Sequence, residues 1–432
     1  MNRQMTVKLI SQSSEKLTLQ VSIPLSGSML EMEQAILEGT NAVGKCATEA
    51  AIKRFDTDGS PIVVGNTKLT SQGQNNKTYQ TPYGAVKVKR HLYQTMRGGK
   101  TYCPLENNAR IINGASPRFA KILSNKYAKM PAPEVLDDLE DNHGRHTTLR
   151  YLQKVSESVA TIAQIKEESW EYETPALKVP ITTVSISLDG AYVLMCEDGW
   201  REAMVGSVSL YDKSGDRQHS IYVGASPQYG KEKFKARLEK EISHVKSLYP
   251  EAEYIGIADG ARSNWDFLKS HTDRQVLDFY HVTEYLSKVS EAACPRKTGK
   301  PERQSWLEKR CHQLKHEAGA AQEILSELKA FTKNKKLRKE LQENLSVTIT
   351  YFENNHHMMN YSEHIEKKLP IGSGVTEAAC KTLIKQRFCR SGMRWKTIGM
   401  RVVLSLRQLV QTAGRWDQFW EKINQYGVPA TA

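Results

Sequence analysis

Hydrophobic positions in this 432-residue chain change period several times, and each change marks a structural element. Residues 5–25 alternate loosely, as in Lys16-Leu17-Thr18-Leu19-Gln20-Val21, with the two-residue period of a strand or hairpin. Residues 29–55 are helix-forming, with Ile36, Leu37, Val43 and Ile52 as apolar positions. Over 60–105 the period returns to two. Val86-Lys87-Val88-Lys89-Arg90 alternates among turn residues at Asn75-Asn76, Pro82-Tyr83-Gly84 and Gly98-Gly99. At Ser116-Pro117, a cap followed by proline, the pattern becomes helical. It breaks at Met130-Pro131-Ala132-Pro133, resumes in a short acidic helix to Asp141, and turns at Asn142-His143-Gly144. A long helix over about 147–170 follows.

After Pro180 the alternation sharpens. Val184, Ile186 and Leu188 share one face of a strand, and Asp189 points to the other face at the strand's end. Two β-type runs, 201–211 and 219–225, complete an antiparallel meander. Residues 231–249 place Phe234, Leu238, Ile242, Val245 and Leu248 on one helical stripe. Residues 253–260 repeat the earlier design, a short apolar strand ending in Asp259-Gly260, and a last strand runs to Asp278-Phe279-Tyr280-His281. Polar, helix-rich sequence follows, with a loop at 295–301 and a basic run at 333–339. The last segment has a core stripe of Val402, Val403, Leu406, Leu409 and Val410.

Composition narrows the partner. The chain carries 61 Lys+Arg against 48 Asp+Glu, net +13, with 39% hydrophobic and 25% charged residues. That composition fits a folded chain of about two or three domains, and the positive excess favours a phosphate-rich partner. No apolar run approaches the roughly 18 residues of a membrane span, and the first residues carry no secretory pattern. Seven scattered cysteines without a Cys-x-x-Cys pair indicate neither a disulfide scaffold nor a zinc ribbon, and fit a reducing cytoplasm. Cys311-His312 with His316, and His356-His357, lack a second pair of ligands and read as solvated helix residues.

Basic residues gather in three places, and each admits two readings. Lys87 and Lys89 mark either a DNA-touching strand or an edge strand kept soluble. Arg145, His146, Thr148, Arg150 and Lys154 open the last of three helices, which fits a helix-turn-helix or plain helical packing. The third place is more pointed. Pro370-Ile371-Gly372-Ser373-Gly374-Val375-Thr376-Glu377 puts one acid ahead of a segment, 381–415, with nine Lys/Arg and no Asp or Glu. Glu377 is either a metal-binding carboxylate held against a polyanion or an acid favoured by the helix dipole.

The element order β-β-β-α-β-α-β, with acids at the ends of the first and fourth strands, resembles an RNase H-like fold. There the first and fourth strands lie side by side, so Asp189 and Asp259 meet, and a returning helix brings Glu377 to the same edge. Three carboxylates suffice for two hard cations about 4 Å apart, which activate a water or 3′-hydroxyl and stabilise the leaving oxygen of a phosphodiester. Each Asp-Gly taken singly is also a common hairpin turn. Two of them in this order, with Glu377, favour the chemistry.

Together these stretches resemble DDE transposases of bacterial insertion sequences, in the ISKra and ISLre-like groups allied to Mutator elements. The matching residues are Ser187-Leu188-Asp189-Gly190, Asp259-Gly260-Ala261-Arg262-Ser263-Asn264-Trp265 and Asp278-x-x-His281. Gly372-Ser373-Gly374-Val375-Thr376-Glu377 follows, with Lys381, Arg387 and Gly392-Met393-Arg394-Trp395. The likeness also covers residues 98–106 and is strongest over 184–410. It implies that Asp189, Asp259 and Glu377 are catalytic and hold two Mg²⁺ or Mn²⁺ ions, with Asp278 and His281 auxiliary. It implies double-stranded DNA as substrate, and a homodimer or larger assembly at the bacterial nucleoid in the cytoplasm. The candidate DNA contacts are Lys381 and Lys385 (or an i,i+4 ion-pair row), Arg387, Arg390, Arg394 and Lys396, beside Lys87, Lys89 and Arg150, while Trp265 either stacks on an unpaired base or, the favoured reading, packs in the core. Such relatives often carry cysteine pairs ahead of the 98–106 segment. Only Cys103 stands there, so no zinc site is carried over.

The expected division is an N-terminal α+β region over 1–112, a helical region over 113–175 and an RNase H-like α/β core over 176–290. An all-α insertion over 291–368 and C-terminal core helices over 369–432 complete it. The expected function is DNA transposition. The same residues also fit a nuclease that cuts without joining, or a DNA-binding protein with a spent site.

Overall fold

The computed structural model describes residues 5–167, 169–294, 299–333 and 337–428, so the loop at 295–301 and the basic run at 333–339 lie partly outside the described residues. The chain divides into two compact units. One comprises Met1–Thr174, Ser405–Val410 and Gly414–Ala432, and the other Pro175–Leu404 and Gln411–Ala413. The two expected N-terminal regions thus form one unit, and the expected segment 369–432 is shared between both.

In the first unit, β1 (Thr6–Gln12) and β2 (Leu17–Ser22) pair antiparallel. Helix α1 (Met29–Lys53) starts with a capping box between Ser28 and Glu31, which satisfies two of its free N-terminal donors. Strands β3 (Ile62–Val64), β4 (Thr67–Thr81), β5 (Gly84–Thr95) and β6 (Gly98–Tyr102) form an antiparallel sheet in that order. Val86 and Val88 of β5 are buried while Lys87 and Lys89 are exposed, as the alternation requires. A short α2 (Pro104–Asn108) precedes α3 (Pro117–Lys129), α4 (Ala132–His143) and α5 (Leu149–Lys166). Gly144 caps α4 in the left-handed region at φ 56°, where glycine carries no steric penalty.

The second unit is built on a five-stranded mixed sheet, order β11-β10-β7-β8-β9. Its strands are β7 (Ile181–Met195), β8 (Gly199–Asp212), β9 (Arg217–Ala225), β10 (Glu253–Ala258) and β11 (Arg274–Leu277). The first three form the expected antiparallel meander, and β10 runs parallel to both β7 and β11. Helix α6 (Lys231–Leu248) lies between β9 and β10, and α7 (Arg262–Leu268) between β10 and β11. Then follow α8 (Phe279–Ala293), α9 (Lys300–His316), α10 (Ala320–Phe331), α11 (Lys339–Asn355) and α12 (Tyr361–Glu366). The Glu377 segment is α13 (Gly374–Ala379), a π turn over Cys380–Lys385, and α14 (Gln386–Phe388). Helix α15 (Thr397–Gln411) spans the division between units, and α16 (Arg415–Tyr426) packs Phe419 against Trp170 in the first.

The two faces of β7 meet different neighbours. Val184, Ile186 and Leu188 join Phe234, Leu238 and Ile242 of α6 in one core, each full burial contributing roughly 2 kcal/mol. That core continues through Leu286, Ile324, Leu341 and Phe352 of the helices after β11. The opposite face is polar although buried. Thr183, Ser185 and Ser187 of β7 lie there with Ser207 and Ser209 of β8. Buried hydroxyls need partners: Ser209 bonds Ser220 of β9 at 2.9 Å, and Ser207 bonds Thr376 of α13 at 2.6 Å. All seven cysteines are free thiols. No helix among the described residues is long and apolar enough to cross a membrane.

Candidate active site

Strand register brings the two aspartates together. β7 and β10 pair in parallel as far as Ser187 opposite Ile257. Asp189 lies two residues past that last pair, and Asp259 is the first residue beyond the end of β10, so the two acids leave adjoining parallel strands at the same end. Period two puts Asp189 on the serine face. One expectation is corrected here. Asp189 does not end its strand, because β8 keeps pairing through Asp189 opposite Val205 to Met195 opposite Gly199. Only the ladder shared with β10 stops before it.

Each carboxylate is held in place. Oδ1 of Asp189 accepts from the Gly190 amide at 2.7 Å, and its Oδ2 from the Cys380 thiol at 3.6 Å. Oδ1 of Asp259 accepts from the Ala261 amide at 3.1 Å, and the hydroxyl of Tyr351 on α11 donates to the Asp259 carbonyl at 3.0 Å.

Glu377 arrives on α13, which the Thr376–Ser207 bond seats on the serine face. The π turn then sets what faces the acids. In a regular α-helix, steps of about 100° would bring Ile384 round beneath Glu377. The wider turn instead leaves Ile384 fully buried and Lys381 and Lys385 exposed. A cleft of about 750 Å³ is lined by Asp189, Glu377, Cys380, Lys381 and Lys385 from one side, and by Tyr280, His281 and Glu284 of α8 from the other.

Among the described residues, the one set of three potential metal ligands within 4.8 Å of one another is Asp278, His281 and Glu377. Asp278 is fully buried and already engaged. It caps α8 by accepting from the Tyr280 amide at 2.7 Å, and its other oxygen accepts from the Ser373 amide at 2.7 Å and from the Ser373 hydroxyl. Ser373 in turn accepts from the Glu377 amide at 2.9 Å. Asp278 therefore clamps the Gly-Ser-Gly turn that delivers Glu377, and its burial removes it from contact with DNA. His281 lies partly exposed at the cleft edge, 3.9 Å from Glu284.

Burial and neighbouring acids raise two of the carboxyls. Burial raises the Asp189 carboxyl above its ordinary 3.8, partly opposed by the Gly190 amide, with the Asp259 charge adding to the rise. Glu377 is raised from 4.5, first by desolvation and then by Asp278. It is exposed overall, so that desolvation is partial. Carboxylates pushed this way on adjoining elements fit hard divalent cations. Asp189, Asp259 and Glu377 do not form a set of three within 4.8 Å among the described residues, so the expected meeting of all three at one point is not seen.

The expected DNA contacts separate. Lys381, Lys385, Arg390, Arg394 and Lys396 are exposed, as are Lys87, Lys89 and Arg150 in the first unit. Two expectations, for Arg387 and Arg145, are corrected, and Trp265 takes the core alternative. Trp265 is 5% exposed within the core, so its ring offers no face for stacking. Arg387 is 2% exposed and lies 5.0 Å over the Trp395 ring. Arg145 is 8% exposed and donates to the Thr81 carbonyl and the Gln80 side chain. Sequence reasoning missed Cys380 and gave no role to Tyr280, Ser373 or the Thr376–Ser207 pair, although Tyr280, Ser373 and Thr376 stand inside its motifs. The serine stripe beside Asp189 was the signal for the last. No protein-family model matches the chain, and no curated protein matches it in sequence.

Proposed function

We propose that the chain is a DDE transposase that cuts DNA at the ends of its own element and joins the 3′-hydroxyls to target DNA. One observation carries the reading: Asp189 and Asp259 leave adjoining parallel strands at the same end, with Glu377 on a helix seated on the face that carries Asp189. The strand order supports an RNase H-like core, in which α9 to α12 form an all-α insertion before the Glu377 helix.

Two Mg²⁺ or Mn²⁺ ions would activate the attacking hydroxyl and stabilise the leaving oxygen. The chain's residues do the rest of the work. Asp189, Asp259 and Glu377 hold the ions, and Asp278 fixes the turn before Glu377. Lys381 and Lys385 meet backbone phosphates along the cleft, and His281 stands within it as a polar partner. The net charge of +13 suits a nucleoid protein of the bacterial cytoplasm. Bringing two element ends together calls for at least two copies.

The test is a strand-transfer reaction with a labelled pre-cut element end, a target plasmid and Mg²⁺. Glu377→Gln, Asp189→Asn and Asp259→Asn are each expected to abolish joined product while still binding DNA. Full activity in any of them refutes the assignment. Cleavage without joining in the parent protein assigns the same site to a nuclease.

A further inference from the structure

The β7–β8 hairpin outruns its sheet. Pairing of β10 with β7 stops at Ser187, and pairing of β9 with β8 stops at Met204. Residues 190–195 and 199–203 therefore continue as a two-stranded ribbon directly beyond Asp189. Trp395 adds a short third edge. Its amide donates to the Leu194 carbonyl at 3.0 Å, and the Cys196 amide donates to its carbonyl at 2.9 Å.

One face of this ribbon carries large aromatic surface in the open. Tyr192 and Trp200 are each 60% exposed, an unusual state for side chains of that size on paired strands. Tyr192 lies opposite Glu202 and Trp200 opposite Leu194, so the two rings are diagonal neighbours about 7–8 Å apart. Trp395 turns its own ring inward, 4.8 Å from Phe388. Period two then directs the exposed Arg394 and Lys396 outward, to the side of Tyr192 and Trp200. Glu202, the acid on that face, is paired with Lys231 at 2.8 Å. Glu197 and Asp198 lie in the turn at the far tip.

We infer that this face binds unpaired DNA next to the cleavage point, with two bases stacked on Tyr192 and Trp200 and phosphates on Arg394 and Lys396. Open π faces beside cations are what sequence-tolerant single-strand binding requires. Continuity with the catalytic edge selects the single strand over the duplex. Tyr192 lies three residues beyond Asp189, about 10 Å along the strand, but on the reverse face. A flexible single strand rounds the ribbon edge over that distance, whereas duplex DNA, with a persistence length of about 150 base pairs, does not.

The inference rests on the transposase reading only for where the strand comes from, and it is tested separately. Fluorescence anisotropy in chelator compares a blunt duplex with the same duplex carrying a single-stranded overhang. The parent protein is expected to prefer the overhang. Tyr192→Ala with Trp200→Ala should weaken overhang binding on the order of tenfold per ring and leave the blunt duplex unchanged. Tyr192→Phe with Trp200→Phe should retain the preference. Overhang affinity unchanged in the alanine variant, or an equal loss for both DNAs, overturns the inference while strand transfer by the parent protein stands. A ring-dependent preference in a protein that never cleaves supports it and sinks the transposase reading. Failure to bind any oligonucleotide overturns both.

Discussion

The clamp on the Glu377 turn can be tested by Asp278→Asn, which keeps shape and removes charge. The carboxylate is fully buried and accepts from the Tyr280 amide, the Ser373 amide and the Ser373 hydroxyl. An asparagine oxygen still serves Tyr280, and the Ser373 hydroxyl can rotate to accept from the new amide. The Ser373 N–H cannot rotate, and it is left facing a donor. Losing a charge-assisted bond and stranding a buried donor costs about 3 kcal/mol. For a unit of this size that is a fall of roughly 6–12 °C in Tm. Calorimetry with chelator present reads the clamp without any metal contribution, and hydrogen exchange at Ser373 and Glu377 should quicken with it. If stability in chelator stays within about 0.5 kcal/mol of the parent while metal affinity falls, Asp278 is a ligand and the clamp is refuted.

Lys381→Ala with Lys385→Ala should reduce the slope of log affinity against log salt by about 1.8 for duplex DNA, one phosphate contact per lysine. An unchanged slope would remove both from the interface. His364 is 3% exposed, and burial pulls its pKa below the ordinary 6.5 against a 3.3 Å contact with the Pro370 carbonyl. The fold thus prefers neutral imidazole: its contribution is complete above pH 6.5 and is lost as pH falls from there through the lowered native value. His364→Gln should flatten that part of the stability–pH curve, and a curve parallel to the parent's would contradict the argument. Phe234→Ala, which empties a fully buried site under the sheet, should cost about 3–5 kcal/mol in urea unfolding. A cost under about 1 kcal/mol would mean that α6 does not hold this core.

Periodicity alone determined most of the elements. The β7–β8–β9 meander, the α6 stripe and the three helices after Ser116 were legible because burial of one face writes a period of two or 3.6 into the residues. The repeated apolar-strand-then-Asp-Gly pattern likewise marked Asp189 and Asp259 before any register was known. Tertiary structure decided what each polar side chain meets. Asp189 became an interior strand residue because its partner β8 runs on past the shared ladder. Asp278 became a buried clamp through Ser373, ninety-five residues away. Trp265 and Arg387 share motifs with exposed neighbours, yet the core closes over them. Cys380 reaches Asp189 across 191 residues after a seat made by Thr376 on Ser207. Local sequence records which face of an element is buried. The partner that satisfies a polar group comes from a distant part of the chain, and only the folded register brings the two together.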